Sequence, residues 1–125
     1  MGSRALVLIA LAVCVSSCGG RNHVREEAIT LTGGDPDKGR SAIGRYGCGS
    51  CHEIPGIGSA RGTVGPPLGR VAARTYLAGR LANSPANMMQ WIQHPQQVEP
   101  GTAMPEMGVS TGEARDITAF LYTLR

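Results

Sequence analysis

The pentapeptide Cys48-Gly49-Ser50-Cys51-His52 constrains the fold of this chain more than any other stretch. Cys-x-x-Cys-His is the pattern by which haem is attached covalently to a polypeptide. Two thiols add across the two vinyl groups of the porphyrin, and a spacing of two residues lets both sulfurs reach one edge of the ring. The imidazole directly after the second thiol is carried under the iron as its proximal ligand. Such a chain folds around a cofactor as well as around its own side chains. The point matters because the 125 residues include one Trp, one Phe, 18 Gly and 8 Pro. That turn-rich composition leaves few large groups from which to build an ordinary core.

Other uses of a Cys-x-x-Cys pair fit less well. Structural zinc needs two further ligands, and the remaining cysteines, Cys14 and Cys18, both fall in a targeting segment. A thioredoxin-like thiol pair would sit in a βαβ pattern, and the sequence has none. Neither alternative accounts for His52. The formal charge of +3 is too small to point to nucleic acid. Every basic residue except Lys38 is an arginine, which favours planar pairing with carboxylates, haem propionates included.

Arg4 precedes an uncharged apolar run, Ala5 to Val15. Its length suits the core of a signal peptide and is too short to span a bilayer. Val15-Ser16-Ser17-Cys18 follows and resembles a bacterial lipoprotein box, in which the chain is cut before the cysteine and its thiol is acylated. Residues 1–17 are thus expected to be a signal peptide and Cys18 the lipidation site; two acyl chains suffice for stable anchoring. Ordinary cleavage to a soluble secreted protein is the alternative, but it leaves an odd thiol in an export compartment. Residues 18–33 are polar, mixed in charge and without a sustained apolar period. Their composition suggests a flexible, lipid-anchored tether, with His23 solvated. The folded domain is expected to occupy 34–125.

Asp35 and Pro36 suit the N-cap and first position of a helix, on which Ala42, Ile43 and Tyr46 share a face and which Gly47 can end. Gly39 is unfavourable inside a helix and implies a close packing contact. A glycine-rich loop, Glu53 to Gly65, leads into Pro66-Pro67-Leu68. Proline has no N–H, so the pair offers stiff backbone carbonyls. A haem-ligating histidine commonly donates its second ring nitrogen to such an acceptor; a rigid loop with no ligand role explains the same residues equally well. Ser84-Pro85 opens a second helix, with Met88, Trp91 and Ile92 on one face and Pro95 at its end. His94 is either an iron ligand or, more simply, a polar residue at a helix end. Pro100 and Pro105 bracket Met104 in a stiff loop. A thioether opposite histidine favours ferrous iron and raises the reduction potential; Met107 competes for that role, and packing is its plainer use. Ser110 and Glu113 form a capping-box pattern ahead of a helix with the stripe Ile117, Phe120, Leu121 and Leu124. This helix is expected to pack on the first, with Phe120 over Gly39. Strand-like alternation is absent, so the expected fold class is all-α.

In this order the elements resemble a small class I cytochrome c, over about Gly34 to Arg125. After the haem motif, the strongest match is His94-Pro95-Gln96-Gln97-Val98-Glu99-Pro100-Gly101-Thr102-Ala103-Met104. It is similar, without a gap, to the family's Asn-Pro…Pro-Gly-Thr-Lys-Met segment. The resemblance implies a cytochrome c fold, three to five short helices wrapped around one covalently attached haem c. It implies axial ligation by His52 and Met104, in preference to His94 and Met107, with Cys48 and Cys51 as attachment points. It further implies that the Pro66 carbonyl accepts the His52 ring N–H, that Leu68 packs on the haem, and that Arg74 lies near a propionate. Trp91 would stand beside the Met ligand, Thr102 would hydrogen-bond in the propionate region, and Gly39 would meet Phe120 where the terminal helices cross. The chain departs from mitochondrial-type members in lacking a lysine-rich docking face, and Ala103 replaces the lysine before the ligand.

The function expected is one-electron transfer and not catalysis, because two filled axial positions in either oxidation state mean little reorganisation. A lipid anchor would restrict the exported protein to a bacterial membrane, facing the periplasm or the exterior, and raise its effective concentration there. The resemblance implies membrane-bound partners: a quinol-oxidising cytochrome bc-type complex or a dehydrogenase as donor, and a terminal oxidase as acceptor. The alternatives are a permanent haem subunit of a larger redox complex, and a gas-binding or peroxidase-like protein with a labile Met104. No Ser/His/Asp set, paired carboxylate site or phosphate loop offers another catalytic centre.

Overall fold

Helix signals in the sequence become helices at the places expected. The computed structural model describes residues 16–125, with side chains from Gly19 onward. Residues 1–15 of the expected signal peptide and the Cys18 thiol lie outside that part. The helices are α1 (Ser16–Thr32), α2 (Pro36–Arg45), α3 (Pro85–Gln93), α4 (Pro95–Val98) and α5 (Thr111–Tyr122). Asp35 caps α2, its Oδ1 accepting from the backbone N–H of Asp37 at 2.9 Å. Ser84 caps α3 through Asn87 N–H at 3.2 Å, and Ser110 caps α5 through Glu113 N–H at 3.3 Å. Gly47 follows α2 with φ +69°, a left-handed conformation that ends the helix without a Cβ penalty. Pro95 is buried and occupies the first position of α4, so the middle helix resumes after a break at His94. The fold is all-α but for a short antiparallel ribbon, β1 (Tyr76–Leu77) with β2 (Leu81–Ala82), too short to show as alternation in the sequence.

The α2–α5 crossing is the most extensive helix contact. Gly39 makes it possible: a Cβ there would overlap the backbone carbonyl of Asp116 on α5. The closest approach is thus to backbone, one turn before Phe120. Ala42 and Ile43 from α2 and Ile117, Phe120 and Leu121 from α5 are buried around the crossing. The Asp116 carboxylate also accepts the Asp35 N–H at 2.8 Å, tying the start of α2 to α5. At the other end the Glu113 carboxylate gathers three side-chain donors. It accepts from Tyr46 Oη at 2.6 Å, Ser110 Oγ at 2.7 Å and Arg45 Nη2 at 2.9 Å. These donors, Tyr46 foremost, pull its pKa from 4.5 to about 2.

The flexible tether suggested by residues 18–33 is corrected: the segment is helical and docked. Most of α1 is polar, and Ala28 is its one fully buried residue among those described. Its fastenings are ionic and lie far away in sequence. Arg25 makes a bidentate pair with Asp37 at 2.8 and 3.1 Å, and Glu27 pairs with Arg125 at 2.8 Å. Among the described residues no helix is long and apolar enough to cross a membrane.

Candidate functional site

Helices α2, α3 and α5 and the loops between them enclose a cavity of about 550 Å³, within the range of ligand and cofactor sites. Ile43, Met88, Ile92, Ile117 and Leu121 give it apolar walls. Cys48, Cys51 and His52 line it, and so do Pro66, Leu68, Arg74, Trp91, Thr102 and Met104. The fold therefore gathers around one cavity every cofactor-site residue expected from the sequence. Met107 lines it as well. His94 is absent from the lining; it is exposed at the α3–α4 joint, with Nδ1 4.0 Å from the Glu106 carboxylate.

The Cys-x-x-Cys-His segment is a 3-10 turn, Cys48–Ser50, running straight on from Gly47. Its backbone closes on itself: Cys51 N–H and His52 N–H both donate to the Cys48 carbonyl, at 3.2 and 3.0 Å. The turn thus sets both thiols and the imidazole on one short rigid unit. Both thiols are free, and burial pushes the Cys48 thiol above its ordinary pKa. A reactive redox thiol needs the opposite shift. Among the described residues no group of three or more His, Cys, Asp or Glu could hold a metal ion by itself.

His52 is held from the side away from any metal. Its Nδ1 lies 2.7 Å from the Pro66 carbonyl oxygen. A carbonyl can only accept, so Nδ1 carries the proton and Nε2 keeps the lone pair that a metal requires. The loop that delivers this carbonyl is anchored by Gly65 N–H donating to Cys51 O at 2.8 Å and Leu68 N–H donating to Glu53 O at 2.8 Å. Gly65 passes so close to the imidazole that a Cβ there would overlap the ring, coming within 2.7 Å of Nδ1 and 2.9 Å of Nε2.

Polar side chains fasten the other loops. Arg74 donates to the Pro67 carbonyl. Asn83 donates to the carbonyls of Val71 and Arg74 at 2.9 and 2.8 Å and accepts from Tyr122 Oη at 3.0 Å. Gln96 bonds three backbone groups of the Met104 loop. Neither Asn83 nor Gln96 is singled out by the sequence, since no local pattern marks a carboxamide whose partners are loop carbonyls. At the rim, Val64 and Tyr76 are 70% and 61% exposed.

A haem fits the donor set: two free thiols, an oriented imidazole and a thioether around an apolar cavity. The sequence model of the Cytochrome c family matches residues 36–125, from the first residue of α2 to the last of the chain. No curated protein and no solved structure matches the chain. The match spans the attachment motif, the cavity and all the loops around it, and on it the chain belongs to the cytochrome c family, whose members carry covalently attached haem c for electron transfer.

Proposed function

We propose that this protein is a one-electron carrier in which haem c, attached at Cys48 and Cys51, has His52 and Met104 as its axial ligands. The observation that carries the reading is the shared cavity: His52, oriented by the Pro66 carbonyl, and Met104 line the same apolar space as both thiols. When bound, the haem supplies a one-electron ferric–ferrous couple. The chain's part is to hold its surroundings still. The Pro66 carbonyl fixes the imidazole and raises its basicity. The soft, neutral Met104 thioether favours the ferrous state, and the apolar walls exclude water. Arg74 and Thr102, at the same cavity, have N–H and O–H groups to offer propionates. The carrier is further proposed to be exported and lipid-anchored at Cys18 to a bacterial membrane, facing the periplasm or the exterior. It would exchange electrons there with a cytochrome bc-type complex or dehydrogenase and with a terminal oxidase.

Visible spectra of the matured protein test the ligation. Expected are low-spin spectra, a Met-to-ferric-iron charge-transfer band, and no response of the reduced form to carbon monoxide. Met104→Ala should keep the haem attached, open the site to carbon monoxide and lower the potential; an unchanged potential removes Met104 as ligand. A rapid carbon monoxide response of the unaltered protein would favour a gas-binding or peroxidase-like role. Cys18→Ser should release the protein from membranes, and retention there would exclude the lipid anchor.

A further inference from the structure

From Ala103 to Val109 the backbone makes no hydrogen bond to any other backbone group among the described residues. Such a segment is held through side chains or water. At its far end Gln93 Nε2 donates to the Val109 carbonyl at 3.2 Å, and the hold on Met104 and the residues just before it comes from Gln96. Gln96 Nε2 donates to the carbonyls of Thr102 at 2.8 Å and Met104 at 2.9 Å, while its Oε1 accepts the Gly101 N–H at 3.2 Å. The amide orientation is forced, since two carbonyls need a donor and an N–H needs an acceptor. The loop returns the contact: the Glu106 carboxylate accepts the backbone N–H of Gln96 at 3.2 Å. The remaining hold on Met104 is weaker, its N–H reaching Thr102 Oγ1 at 3.4 Å, beyond the usual range for such a bond.

We propose that Gln96 is the positioning residue for Met104: through one side-chain amide it ties the Gly101–Thr102 stretch to the carbonyl of Met104 itself and keeps the thioether in the cavity. The inference rests on Met104 being the second axial ligand. A glutamine is suited to the task because it is neutral and presents two donors and an acceptor together. Glutamate in its place would keep the acceptor for Gly101 but set a carboxylate oxygen against two carbonyls. The adjacent Gln97 is exposed, with no side-chain hydrogen bond among those of the described residues.

The test uses the matured protein with haem attached. Gln96→Ala removes three bonds of ordinary strength, so the population with Met104 displaced should rise on the order of ten- to a hundred-fold. The expected signs are carbon monoxide binding by the reduced form, a weakened Met-to-ferric-iron band, a lowered potential and faster amide exchange at Gly101. Gln96→Glu should show the same spectral changes while Gly101 exchange stays slow. Gln97→Ala should match the unaltered protein. If Gln96→Ala does not mature, Gln96→Met keeps the length without the bonds and is read in the same way. A Gln96 variant that loses thermal stability while its carbon monoxide response, band and potential match those of Gln97→Ala overturns the proposal. If Met104→Ala opens the site and the Gln96 variants do not, the clamp fails alone; if Met104→Ala also changes nothing, the ligand assignment fails with it.

Discussion

Intrinsic helix preference says that Gly39→Ala should stabilise α2 by about 1 kcal/mol; the structure reverses the sign. A Cβ at Gly39 would overlap the Asp116 carbonyl and come within 2.9 Å of Ile117 N. The obstacle is the backbone of another helix, which cannot swing aside like a flexible side chain. Relief requires α2 and α5 to separate, which strains the Asp35–Asp116 hydrogen bond and loosens the packing of Ile43 and Ile117. Overpacking costs about 1–3 kcal/mol; against rigid backbone the upper end applies, and subtracting the gain of about 1 kcal/mol in helix preference leaves a net loss of about 2 kcal/mol. Gly44 is the internal control. It lies on the same helix, is exposed, and has nothing within 4 Å of its would-be Cβ. Gly44→Ala should therefore gain about 1 kcal/mol. In a domain of this size each kcal/mol moves the melting temperature by about 4–8 °C, so the two variants should shift in opposite directions. Urea denaturation of the haem-loaded proteins, followed by far-ultraviolet circular dichroism, gives both values. Should Gly39→Ala be as stable as the unaltered protein, the close crossing assigned to α2 and α5 would be wrong.

Three further outcomes are expected. The Glu113 carboxyl has a folded pKa of about 2 against an ordinary 4.5, so its contribution is complete above about pH 4.5 and is lost as pH falls toward 2. Glu113→Gln should accordingly be less stable at neutral pH and lose less on acidification over that window, measured by denaturation midpoints; equal slopes would refute the latch. Asn83→Leu strands the Val71 and Arg74 carbonyls and the Tyr122 hydroxyl, and a cost of about 3 kcal/mol is expected at one or more per unmet group. Gly65→Ala forces either the His52 ring or the Pro66 loop to move, so the matured protein should show an altered haem spectrum; a spectrum identical to that of the unaltered protein would contradict the close approach.

What the sequence makes legible is local. The caps at Asp35, Ser84 and Ser110 each act within three residues, and the haem motif closes its own turn from Gly47 to His52. Pro66 is not local, being 14 residues from His52; the resemblance names it, and the stiffness of the Pro-Pro pair makes its carbonyl a fitting acceptor. Helix α1 is not legible, because its stability comes from elsewhere. It has no apolar stripe, and the charges that dock it sit on Asp37 and Arg125, one of them at the far end of the chain. The Phe120–Gly39 expectation finds the right pair of helices, but the contact that decides the spacing is a backbone carbonyl, which carries no sequence signature.

The polar fastenings divide into two kinds with different consequences. Those joining helices are ionic: Arg25–Asp37, Glu27–Arg125 and Arg45–Glu113, none of which lines the cavity. Those holding the cavity loops are carboxamides: Asn83 on the Val71–Arg74 turn, Gln93 on Val109 and Gln96 on the Met104 loop. A charged fastener beside an apolar cofactor would cost desolvation and bias the iron toward one oxidation state; a carboxamide bonds two carbonyls without either effect. The charged exceptions are Arg80–Glu99 at the rim, Arg74 on the Pro67 carbonyl and Glu106 on the Gln96 N–H, and each of these side chains is partly solvated. Arg125 holds the Glu27 carboxyl, and the Asp37 backbone N–H holds that of Asp35, below their ordinary values. Both therefore stabilise the fold above the ordinary carboxylate range and cease to do so as pH falls. Acid should thus act first on the helix fastenings while the carboxamides keep the loops closed. Amide exchange followed as pH falls from about 4.5 toward 2 should show α1 and the α2–α5 junction loosening before Gly101, and the reverse order would mean that the loops depend on the ionic fastenings of the helices.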